Sequence, residues 1–202
     1  MKNIDTTKND TLTTYVGDVH ALVAHGLKAV ERQVENLSKV SHKDAQPAVL
    51  EAKRVLEQQK FALEARLKTL GGSATAPVKD AVATVAGVAA GLINAVRPSE
   101  TVKSLRDDAT FFSGLGVAYL LLYTTASGLG DAATSDLAQQ GYEGTARMVM
   151  HLDNILPKIT IEELREDKLV VSDVAERVKA MVVKAWDRAQ PAGDVRQSTL
   201  HA

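Results

Sequence analysis

The chain has no cysteine in its 202 residues, which excludes a disulfide scaffold, a thiolate nucleophile and any zinc site of the cysteine type. A reducing compartment fits that absence. Aromatic residues are scarce, with one tryptophan, four tyrosines and three phenylalanines, and the five prolines fall where helices are expected to start or stop. Charge of either sign is missing as a bias: 24 basic and 25 acidic residues leave a formal net charge of −1. No basic face offers itself to nucleic acid, and no acidic block suggests a solvating tail. The opening residues, MKNIDTTKNDTLTT, lack the apolar core of an export signal, so a cytoplasmic location is expected.

Chemical motifs are also absent. None of the five histidines, His20, His25, His42, His151 and His201, has a glutamate three residues before it, so the Glu-x-x-His pair that aims two ligands at one metal from a helix does not occur. His20 and His25 lie about 140° apart around a helix, too far to share one ion. No Gly-x-Ser-x-Gly elbow is found. SGLGVAYL, residues 113–120, has glycines two apart but follows no strand, so it is not read as a dinucleotide loop.

What is present is helical periodicity. From Asn9 or Asp10 onward, Leu12, Tyr15, Val16, Val19, Leu22, Val23, Leu27, Val30, Val34 and Leu37 follow steps of three and four. A second helix is expected to open near Pro47, to carry Val49, Leu56, Leu63, Leu67 and Leu70 on its face, and to stop at Gly71-Gly72. A third, uncharged over 81–96, starts at Pro77 and ends before Arg97-Pro98, after which Ser99 is the expected cap of the next. A fifth spans about Asp131 or Ser135 to Asn154, before Pro157; TIEELRED suggests a short helix, and Val174, Val178, Met181, Val182 and Trp186 mark an amphipathic last one.

The fourth segment, 109–130, has no charged side chain in 22 residues. As a helix it would reach about 33 Å, enough for a bilayer core. Four glycines, two serines and three threonines dilute it, and Asp107, Asp108 and Asp131 flank it where a spanning helix has lysine, arginine or tryptophan. It is therefore expected to be a central bundle helix enclosed by amphipathic neighbours, with Gly114, Gly116 and Ala118 allowing close approach and Tyr119 and Tyr123 needing hydroxyl partners. The expected layout is a disordered segment over 1–9, one helical domain over 10–189 and a disordered tail over 190–202.

Three stretches in this order, GDVHALVAH (17–25), ALEARLKTLGG (62–72) and VAYLLLYTTASGLGD (117–131), resemble patterns of the bacterial ferritin-like family typified by the YciE and YciF stress proteins. The resemblance covers residues 12–157. It implies a ferritin-like four-helix bundle with an inserted apolar helix and an additional C-terminal amphipathic helix. It also implies a di-metal centre held by glutamates and Glu-x-x-His pairs. Carried across, the glutamate of the first helix falls at or next to Leu22, the pair of the second at Leu56 and Gln59, with Glu57 nearby, and the third glutamate at Leu115. In the last helix Glu143 matches an acidic position, and its histidine partner becomes Ala146.

The leading expectation is a non-catalytic bundle with no catalytic, metal or cofactor set, in a structural, protein-interaction or small apolar ligand-binding role. Interior-site candidates are Leu115, Tyr119, Tyr123 and Glu143, and homodimerisation is open. One alternative is a metal-dependent oxidoreductase or metal-binding protein using Glu143, His151, Asp18 and His20. Another is a membrane-active hairpin of the two uncharged segments.

Overall fold

The computed structural model describes residues 4–35, 42–72 and 100–189. Among these residues there are five helices and no strand, in keeping with an all-α chain: α1 (Ile4–Glu35), α2 (Ala45–Thr69), α3 (Glu100–Gly128), α4 (Ala132–Glu166) and α5 (Ala175–Ala189). The helix expected over 77–96, the Ser99 cap, Leu37 and the 190–202 tail lie outside the described residues.

Local chemistry sets several ends. Pro47 lies in the first turn of α2, where its missing N–H costs nothing. At the other end Gly71 takes φ of 78°, while the Gly72 N–H donates to the Leu67 carbonyl at 2.9 Å and the Gly71 N–H to that of Lys68 at 3.1 Å. Those two bonds satisfy carbonyls that the helix leaves open. The same arrangement closes α3 at Gly130, and the next residue, Asp131, caps α4 by accepting from the Thr134 N–H at 2.8 Å. Three residues thus turn α3 back along α4.

Two boundaries differ from expectation. α1 begins at Ile4, ahead of Asn9. α4 does not stop at Asn154 but runs through Pro157 to Glu166, absorbing the short helix expected at TIEELRED. Leu152 and Ile159, fully buried on either side of the proline, hold the helix in place against the cost of one lost backbone bond.

The four long helices are antiparallel to their neighbours. Asn9 Nδ2 donates to the Leu70 carbonyl at 2.7 Å, joining the start of α1 to the end of α2. Gln33 of α1 meets Asp108 of α3 at 2.8 Å, and the Val102 N–H near the start of α3 donates to Glu163 near the end of α4 at 3.1 Å. Arg66 of α2 clamps both carboxylate oxygens of Asp131 at 2.7 and 2.8 Å. Burial works to raise the Asp131 carboxyl, but the Thr134 hydrogen bonds and the Arg66 charge hold it below the ordinary aspartate range. α2 therefore ends where α1 begins, while α3 begins at the opposite end.

α3 is not enclosed, contrary to the expectation of a helix buried on several sides. Leu105, Asp108, Phe112, Leu115, Tyr119, Leu122 and Ala126 form one buried stripe, but Val117, Leu120 and Leu121 on the far side are 58, 50 and 56 % exposed. By length and composition alone, Thr101–Gly128 is long and apolar enough to cross a membrane. Gly114 also faces open space, so it is not a point of close approach. The close approaches occur at glycines on the neighbours: the Phe111 ring sits over Gly26 of α1, and the Tyr119 ring over Gly141 of α4.

Candidate functional site

Between α2 and α4 lies a groove of about 650 Å³. α4 lines it with two glycines: Gly144 faces α2, where an added Cβ would lie 3.3 Å from Gln59 Nε2, and Gly141 faces α3. Tyr119 of α3 reaches through from behind to form part of the floor, with its ring so close to Gly141 that a Cβ there would fall 2.2 Å from Cε1. Burial pushes the Tyr119 hydroxyl well above the ordinary tyrosine value, so the phenol stays neutral. Gln59, more than nine-tenths buried, donates from Nε2 to the Gly141 carbonyl at 3.2 Å. That bond fixes the amide orientation and leaves Oε1 buried without a hydrogen-bond partner.

The rim is polar and largely self-paired. Arg54 donates to both Glu51 oxygens, at 2.8 and 2.5 Å, and to Gln58 at 3.0 Å. The Arg54 hydrogen bond and charge, aided by His151, hold the Glu51 carboxyl below its ordinary range despite some desolvation. Glu143 accepts from Gln139 at 3.0 Å and lies 3.9 Å from Arg147. Around the opening stand three carboxylates, Glu51, Asp136 and Glu143, and two guanidiniums, Arg54 and Arg147, with His151 beside them, so charges of both signs are interspersed on the lining. The α2–α4 seam is pinned beyond the groove on either side: Arg66 pairs with Asp131 at one end, and at the other Lys158 pairs with Asp44 and His42 Nδ1 lies within hydrogen-bond distance of Glu162, 3.2 Å.

Of the four expected site residues, the structure brings Tyr119 and Glu143 to this groove. Leu115 is buried in the core, and Tyr123 is 39 % exposed, outside the groove lining. Glu143 is on the exposed rim, not in the interior. Helical phase is the reason: the buried stripe of α4 is Thr134, Ala138, Gly141, Thr145, Met148 and Leu152, and both Glu143 and Ala146 fall off it.

The other positions implied by the ferritin-like resemblance do lie inside. Leu22, Leu56, Gln59 and Leu115 are all buried, and α4 faces them with Thr145 and Met148. This set offers one amide and one hydroxyl, and the Thr145 hydroxyl already donates to carbonyls of its own helix. Among the described residues no group of three or more histidines, aspartates or glutamates could hold a metal ion. The interior therefore does not fit a di-metal centre, which needs carboxylates and imidazoles.

Nor does the alternative set converge. His20 Nε2 lies 3.3 Å from Glu64 on the α1–α2 side, where Glu64 also accepts from Lys60 at 2.6 Å. Glu143 and His151 line the α2–α4 groove instead. What sequence reasoning did not find are the Arg66–Asp131 clamp, the buried Gln33–Asp108 pair and the groove itself. Comparison of the chain with protein-family models, with curated proteins and with solved structures returns no match.

Proposed function

We propose that the chain is a ferritin-like bundle in which packed side chains stand where a di-metal centre would be held, and that it works by binding a small ligand in the groove over Tyr119. The observation that carries this reading is the burial of Leu22, Leu56 and Leu115 at the matched positions. A lone buried carboxylate costs several kcal/mol unless paired, whereas leucines at 22, 56 and 115 pack together with the rest of the core. The helix directions support the ferritin-like part: two antiparallel hairpins, with α2 ending at one end of the bundle and α3 beginning at the other, match bundles with one long crossover. The groove volume falls in the range that accommodates small molecules.

Oxygen and peroxide consumption test the non-catalytic part. Protein supplied with ferrous iron or manganese is expected to consume neither faster than the free metal does. Metal-dependent consumption that disappears in Glu143→Ala or His151→Ala overturns the proposal.

A further inference from the structure

A second cleft, of about 450 Å³, lies where α5 folds back on the far part of α4. Val174, Val178 and Val182 line it from the α5 side, one helical turn apart, and Leu156 and Ile161 line it from α4. Against these aliphatic walls stands one ionisable group, Asp153. Among the described residues no hydrogen bond or ion pair reaches its carboxyl, and burial, with no cation nearby to offset it, pushes that carboxyl above the ordinary aspartate value. The backbone adds a second acceptor at the same place. α4 continues through Pro157, which also lines the cleft, and a proline has no N–H to give to the carbonyl four residues earlier, which is that of Asp153. The cleft thus sets the Asp153 carboxylate among aliphatic side chains, beside a carbonyl of the same residue to which Pro157 gives no hydrogen bond; the other polar side chain of the lining, Thr160, donates its hydroxyl to the Leu156 carbonyl at 2.7 Å.

We propose that this cleft binds an alkylammonium, its hydrocarbon chain between the valines and Leu156 and Ile161, and its ammonium donating to the Asp153 carboxylate and to the carbonyl that Pro157 leaves open. An ammonium brings three donors and the complementary charge. An alcohol of the same chain length brings one donor and no charge, and a fatty carboxylate brings only acceptors and repulsion. The site is independent of the ferritin-like reading and of the groove over Tyr119.

Octylammonium chloride, 1-octanol and sodium octanoate, each titrated into the full chain, test the proposal. Binding is followed by calorimetry and by the emission of Trp186, the sole tryptophan, which lies on α5. Octylammonium is expected to bind at a single saturable site about tenfold or more tighter than octanol, as a charge-assisted hydrogen bond implies, with octanoate weakest. Asp153→Asn keeps the shape of the side chain and is expected to bring octylammonium down to the level of octanol. Val178→Phe, or Ile161→Phe from the opposite wall should α5 lose its helix, fills the cleft and is expected to abolish both. Equal affinities of the amine and the alcohol, an amine preference that survives Asp153→Asn, or no saturable binding of octylammonium overturns the proposal.

Discussion

Asp108→Asn is expected to stabilise the folded chain at pH 7.5 by about 3 kcal/mol, and by only a fraction of that at pH 4. Asp108 is 6 % exposed, packed between α1 and α3. Burial is the main reason that its carboxyl is pushed up to about 6 from an ordinary 3.8; the Gln33 hydrogen bond opposes the rise and the charge of Asp107 adds to it. A carboxyl that holds its proton more tightly when folded contributes most at low pH. That contribution is lost as pH rises from the unfolded value through about 6. Asn removes the loss because it never ionises. It also supplies N–H donors beside the Gln33 Oε1, which is buried without a hydrogen-bond partner, as is the Asp108 Oδ2. Denaturant unfolding of both proteins at the two pH values measures the effect, and each kcal/mol moves the thermal midpoint by about 2–4 °C for a chain of this size. An equal difference at both pH values would mean that Asp108 is not the titrating group.

Gly141→Ala is expected to cost about 2 kcal/mol, although alanine is the better helix former by about 1 kcal/mol. The new Cβ would lie 2.2, 2.4 and 2.6 Å from Cε1, Cζ and Cδ1 of Tyr119. That ring is 1 % exposed and must shift to admit the new carbon. Gly114→Ala is the control with the opposite sign. It sits in α3 with nothing within 4 Å of the added carbon, so the gain in helix propensity, about 0.5–1 kcal/mol, goes unopposed. Combining Gly141→Ala with Tyr119→Leu is expected to recover at least about 1 kcal/mol relative to the sum of the two single changes, because the residues are in contact. Additive losses in that cycle would show that the ring is not what limits position 141.

Helix periods were legible in the sequence where one face is apolar and the other charged. Leu12, Val16, Val19, Val23, Leu27 and Val30 form a buried stripe as their spacing predicts, although Tyr15 from the same series is exposed. The Gly71 and Gly130 stops were legible because only a residue without Cβ readily takes a positive φ. Pro157 misled, since a proline removes one hydrogen bond but does not outweigh the packing of Leu152 and Ile159. α3 misled for another reason. Missing charge shows that a helix surface is apolar, not that other helices cover it, and Val117, Leu120 and Leu121 remain exposed.

The site followed the same pattern. Asp108 lies in phase with Leu105, Phe112, Leu115 and Tyr119, so its burial could have been read from its place on that stripe, not from its role as a flanking charge. Gly141 likewise lies in phase with Ala138, Thr145 and Met148, the signal that it receives a partner's side chain, while Glu143 is out of phase and faces outward. The α2–α4 groove and the α4–α5 cleft depend on how far apart particular helix faces stand. Spacing along one chain carries no such distance.

Metal content tests the central claim most directly. Protein purified from cells supplied with iron and manganese, and weighed intact by native mass spectrometry alongside elemental analysis, is expected to carry substoichiometric metal, as an interior of Leu22, Leu56, Gln59, Leu115, Thr145 and Met148 requires. Two iron or manganese ions per chain, lost in Glu143→Ala, would contradict it.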